Sequence, residues 1–120
     1  MTKPPIEVLR SFEILSSLSS EELDFLYKQM NNEKFVTGES LFKEGDAGDI
    51  MYIVLSGSVS ISVNTPDGKI LEIAEISEGN FFGEMSMFDR AVRSATCSTK
   101  CDTSVLSLKA DDFYNFIKDH

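Results

Sequence analysis

The chain is 120 residues long, enough for one domain and too short for two. Apolar residues make up 42% and charged residues 26%, which suits a soluble domain with its own core. Asp and Glu total 20 against 11 Lys and Arg, a net charge of -9 that disfavours nucleic acid or anionic lipid across the whole surface but allows one small anion in a local positive pocket.

The N-terminus opens Met1, Thr2, Lys3, Pro4, Pro5 without a continuous apolar segment, so no signal peptide is expected. Ile6, Leu9 and Phe12 recur at helical spacing and predict a short helix between Ile6 and Leu15. Ser19 and Glu22 fit a capping box. Leu23, Leu26, Tyr27 and Met30 then follow at i, i+3, i+4 and i+7, an amphipathic helix with Asn31 and Asn32 as its stop.

From Phe35 the period becomes two. Met51 to Leu55 is apolar on both faces, the pattern of a buried strand. The longest apolar run, Ile50 to Leu55, is far short of the roughly 20 residues that span a bilayer. Val59, Ile61 and Val63 alternate with Ser58, Ser60 and Ser62, a half-buried strand. Ile70 to Ile76 and Thr103 to Leu108 are further strands, punctuated by Gly38, Gly45, Gly48, Gly57 and a hairpin turn at Pro66, Asp67, Gly68. Several short strands at this spacing predict an antiparallel sandwich or barrel. After Lys109 the pattern is helical again, with Asp111 and Asp112 in the first turn and Phe113, Phe116 and Ile117 as the stripe.

Cys97 and Cys101 make no disulfide framework. On one strand their Cα atoms would lie roughly 13 Å apart, and a bridge needs less than about 7 Å. They read as two small apolar residues on one strand face. His120 is the single histidine, which argues against a histidine-based metal site and leaves no histidine for Ser/His or Cys/His catalysis. Glu44, Asp46 and Asp49 lack the spacing of a calcium loop and read as a solvated turn. The cytoplasm is the expected location.

Residues 78–96 break the strand pattern. Gly83 would open a helix N-terminus, where N–H groups and the dipole favour negative charge. Arg93 supplies a planar fork of donors suited to phosphate, and Ser94 adds a hydroxyl. Glu84 makes sense there if it accepts from a ligand hydroxyl, and an acceptor for hydroxyl beside donors for phosphate describes a sugar phosphate. Phe81, Phe82, Met85, Met87 and Phe88 are expected in the core, with Met85 the one that could face a base.

The stretches GESLFKEGDAGDIMYIVLSGSVSI and FFGEMSMFDRAVRSAT, in this order and spacing, resemble the cyclic nucleotide-binding domain family. That family is the receptor module of catabolite-activator-type regulators, cyclic-nucleotide-dependent kinases and gated channels. The resemblance covers nearly the whole chain. It implies a mainly β fold with flanking helices, an eight-stranded antiparallel β-jelly roll (double-stranded β-helix). One domain over 1–120 would comprise an N-terminal helical segment (1–32), the jelly roll (33–109) with a phosphate-binding cassette (81–96), and a C-terminal helix (110–120).

The resemblance also implies roles. Glu84 would accept from the ribose 2′-hydroxyl and Arg93 would pair with the cyclic phosphate. Backbone N–H groups around Gly83, Glu84 and Met85 would reach the sugar phosphate. Ser94 would bond the phosphate or the base, and Ala95 would offer its N–H near the phosphate. Two departures from the family pattern stand out: Arg90 where Gly is common and Val92 where Pro is common. Both bear on affinity more than on fold. Family members close the pocket with a later helix, which is expected to be absent here or to lie beyond His120.

The implied function is a regulatory, non-enzymatic receptor for a cyclic nucleotide, cyclic AMP ahead of cyclic GMP, that needs no cofactor and couples binding to movement of the C-terminal helix. Its partners would be the nucleotide and, downstream, a second copy or an effector protein. Neither nucleic acid nor membrane would be bound by this chain. Other readings stay open at this point: a degenerate scaffold or dimerisation domain of the same fold, with Glu84 and Arg93 as a structural ion pair, and a sensor of another small anion. A metal-dependent jelly-roll enzyme is a third, opposed by the lack of internal histidines.

Overall fold

A computed structural model of the chain describes residues 7, 9–10, 15–82 and 93–119. Glu7, Leu9 and Arg10 are helical, in line with the periodicity read there. Helix α1 spans Ser20–Lys28. Its capping box forms as the sequence suggests: Glu22 N donates to Ser19 Oγ at 3.1 Å, and Ser19 N donates to Glu22 Oε1 at 2.9 Å. The helix ends at Gln29, before the two asparagines. Asn31 and Asn32 are not its stop but the start of a strand, because Asn31 takes a place opposite Ser107 in a sheet ladder.

Eight strands follow among the described residues: β1 (Asn31–Phe35), β2 (Ser40–Phe42), β3 (Ile50–Ser56), β4 (Ser58–Asn64), β5 (Ile70–Ser77), β6 (Phe81–Phe82), β7 (Thr96–Thr99) and β8 (Thr103–Lys109). They form two antiparallel four-stranded sheets, in the orders β1-β8-β3-β6 and β2-β7-β4-β5. The sheets face each other as a jelly roll. Helix α2 (Ala110–Asp119) continues directly from β8.

The apolar run of β3 serves two cores. Met51 and Ile53 pack with Leu23, Leu26, Leu106, Leu108 and Phe113 under the helices. Tyr52 and Val54 pack with Val59, Phe82, Cys97 and Val105 between the sheets. Strand β8 divides in the same way, with Leu106 and Leu108 toward the helices and Val105 toward the other sheet.

Two expectations change. Cys97 is buried in β7, but Cys101 is exposed in the bend after it, so the two do not share a strand face. On α2, Phe113 and Phe116 are buried while Ile117 is 47% exposed, so the apolar stripe is narrower than three residues. Strand β5 is found where the sequence suggests it; it pairs only with β4 at a sheet edge, and its Ile70, Leu71 and Ile73 are exposed. Its hairpin turn is as expected: Thr65 N donates to Lys69 O at 2.8 Å, and Gly68 N to Thr65 O at 3.0 Å. Among the described residues, no helix is long and apolar enough to cross a membrane, and no His/Cys/Asp/Glu cluster could hold a metal ion.

Candidate ligand-binding site around Arg93

Of the six site residues expected from the sequence, Arg93, Ser94 and Ala95 are described. Gly83, Glu84 and Met85 lie outside the described residues, as do Met87, Phe88, Arg90 and Val92. The site is therefore built from Arg93 outward.

The two motifs quoted from the sequence meet through their backbones. Arg93 N donates to Asp46 O at 2.7 Å, and Gly45 N donates to Arg93 O at 2.8 Å. The Gly45–Asp46 turn is itself braced: Asp46 N reaches Lys43 O at 2.9 Å, and Lys43 N reaches Asp46 Oδ2 at 2.9 Å. Gly45 adopts φ +94°, a conformation that side-chain-bearing residues rarely take. Thr96 Oγ accepts from Glu44 N at 3.1 Å, tying the first residue of β7 to the same turn.

This pinning turns the Arg93 side chain into the protein, where it is 4% exposed. Its Nη2 donates to the carbonyl of Ile50 at the start of β3. Its Cζ lies over the Phe42 ring, 4.2 Å from the centroid. Phe42 belongs to an aromatic group with Tyr52 and Phe82: the Phe42–Tyr52 and Phe42–Phe82 centroids are 6.1 and 6.2 Å apart, and Tyr52 and Phe82 stack at 5.1 Å.

Burial pulls the Arg93 pKa down, opposed by the negative charge of Tyr52, Asp49, Cys97 and Asp46 when ionised. Arginine nevertheless stays protonated in proteins. Burial pushes the Tyr52 phenol up from its usual value and the Cys97 thiol up to about 12. Both are therefore neutral at pH 7, and neither offsets the Arg93 charge there. The result is a fixed cation with a fork of donors at the edge of the inter-sheet core, suited to a phosphate or another compact anion.

Ala95 is buried beside Arg93, while Ser94 is exposed. Phe42, Tyr52, the Ile50 carbonyl and Thr96 were not singled out as site residues from the sequence. The available signal was the position of Phe42 three residues before Gly45, in a motif already paired with the Arg93 stretch.

Comparisons with known proteins bear on the family and the fold. The profile of the family described as "Cyclic nucleotide-binding domain" matches residues 32–120. A CRP-like cAMP-activated global transcriptional regulator of Mycobacterium tuberculosis is 30% identical over 113 residues, 94% of this chain and 50% of that protein. The crystal structure of the N-terminal domain of a transcriptional regulator from Streptomyces coelicolor A3(2) superposes with a TM-score of 0.88 at 30% identity, covering 94% of this chain and 81% of that one. The regulatory domain of Toxoplasma gondii PKA, co-crystallised with cAMP, superposes with a TM-score of 0.86 at 29% identity, covering 96% of this chain and 44% of that one. The chain spans about half the length of the curated regulator it matches. With the jelly roll, the joined motifs and the profile match in agreement, the chain belongs to the cyclic nucleotide-binding domain family.

Proposed function

We propose that the chain is a receptor module that binds cyclic AMP in preference to cyclic GMP and passes the binding event to its C-terminal helix. The observation that carries this reading is Arg93: buried, pinned by the Gly45–Asp46 turn and equipped for a cyclic phosphate. In this reading Glu84 accepts from the ribose 2′-hydroxyl, the N–H groups of Gly83, Glu84 and Met85 face the sugar phosphate, and Ser94 and the Ala95 N–H complete the ring of donors. The preference for cyclic AMP is supported by the M. tuberculosis regulator, named as cAMP-activated, and the T. gondii domain, crystallised with cAMP.

The coupling has a short physical route. Ala110 N, the first amide of α2, donates to Asp49 O at 2.8 Å. The next carbonyl along the chain, that of Ile50, accepts from Arg93. A ligand phosphate that shares the Arg93 guanidinium with the Ile50 carbonyl acts one residue from the anchor of the helix. A nucleotide that binds one arrangement of this unit better than another shifts the population toward it.

The module is regulatory, not catalytic, on this reading, and works in the cytoplasm. Its output goes through further sequence, a second copy or an effector protein. The net charge of -9 assigns any DNA contact to another segment.

Calorimetric titration with cyclic AMP and cyclic GMP tests the proposal. Wild-type protein should bind cyclic AMP more tightly. Arg93→Ala should lose roughly 3–5 kcal/mol, about 10² to 10³-fold or more in affinity, by leaving a buried anion without its partner. Failure of the wild-type protein to bind either nucleotide at high micromolar concentration overturns the reading.

A further inference from the structure

We infer that Phe42 is a positioning residue for ligand binding: its ring is the floor that orients the Arg93 guanidinium toward the nucleotide phosphate. This deepens the proposed function and rests on Arg93 being the phosphate-binding cation.

Three observations lead to Phe42. First, the strand that carries it is irregular at that point. Ser40 lies opposite Ser98 and Phe42 opposite Cys97, so β2 holds one extra residue between the two pairs. Such a bulge re-aims a side chain. Here it places Phe42 opposite the buried Cys97, on the inner side of the sheet.

Second, the Arg93 Cζ sits 4.2 Å from the Phe42 ring centroid, well inside the roughly 6 Å reach of a cation–π contact. The contact is largely shielded from water, where it is strongest. It also offsets part of the desolvation that burial imposes on the guanidinium.

Third, the ring is itself held. Tyr52 and Phe82 lie together on one side of it, at 6.1 and 6.2 Å, and stack on each other. A guanidinium carries its donors in one plane. Contact with a fixed ring face limits how that plane can turn, so fewer orientations must be given up when a phosphate arrives. A leucine would fill much of the same space but has no π face.

The test uses Phe42→Leu and Phe42→Trp, titrated calorimetrically with cyclic AMP beside wild-type protein. Phe42→Leu should weaken cyclic AMP binding by about tenfold. Phe42→Trp should stay within about threefold of wild type, since indole is the best cation–π partner. The chain has no native tryptophan, so all indole emission from the Phe42→Trp variant comes from this one position. That emission should change during the titration with the same midpoint as the heat signal.

Wild-type affinity in a folded Phe42→Leu protein overturns the inference. So does a folded Phe42→Trp protein that loses as much affinity as Phe42→Leu, because the side chain would then matter only for its shape. If circular dichroism shows Phe42→Leu unfolded, Phe42→Trp and Phe42→Tyr decide: retained affinity in both supports the role, and loss in both overturns it. Absence of cyclic nucleotide binding by wild-type protein removes the receptor reading itself, and this inference falls with it.

Discussion

Cys97 sits beside the Arg93 group, and its thiol is pushed up to about 12, mainly by burial and against the opposing pull of Arg93. An unfolded chain gives up this proton near pH 9 and the folded chain holds it to about 12. The contribution of Cys97 to stability is therefore complete below pH 9 and is lost as pH rises through that window. Tyr52, also raised by burial, acts in the same direction as pH rises above 10.0. Urea midpoints measured from pH 8 to pH 11.5 should decline for wild type and decline less steeply for Cys97→Ala. Parallel slopes would contradict the assignment. At this scale the sequence was informative about Arg93, because an arginine beside small polar residues after a glycine-rich stretch already suits an anion. It was uninformative about Phe42, whose contact spans 51 positions and depends on one inserted residue in a three-residue strand. No periodicity within a single segment encodes a contact of that kind.

Among the elements, the tight link between β3 and β4 is the most constrained. Gly57 has φ +90°, and a Cβ there would lie 2.5 Å from Thr103 Oγ, 2.6 Å from Asp102 O and 2.9 Å from Thr103 Cα. Both the conformation and the space exclude a side chain. Gly57→Ala should cost about 2–4 kcal/mol in a urea unfolding curve, combining positive-φ strain with overpacking against backbone. An unchanged midpoint would mean that β8 can move away freely. Glycine punctuation marked this turn in the sequence, and β3, β4, β8 and α1 followed from apolar periodicity. Strand β1 was hidden because Asn31 and Asn32 have low strand propensity and gain their place only by pairing with β8. The exposure of Ile117 was hidden for a related reason: a helical stripe shows which residues share a face, not how far the covering layer extends.

For the molecule as a whole, a charge of -9 on 120 residues is a source of self-repulsion. Lys100, bridging Glu72 at 3.2 Å and Glu75 at 3.0 Å, relieves it only locally and at the surface. Raising NaCl from about 10 to about 200 mM should increase the urea midpoint, because screening weakens the repulsion. A midpoint that falls with salt would show attractive pairs to dominate. The jelly roll as a class was legible, since short alternating strands and two ordered motifs agreed. The arrangement of strands into two sheets was not, because ladder order depends on pairings distant in sequence. That arrangement also sets an order of local opening. Strand β3 lies between β8 and β6, with apolar packing on both faces, while β5 has one neighbour and an exposed surface. The centre of β3 opens only with the whole domain, and β5 opens at far lower cost. Ile50, whose carbonyl meets Arg93, stands at the outer end of the strand that opens last. The cation is thus fastened to the most persistent part of the molecule at the point where that persistence begins to fade.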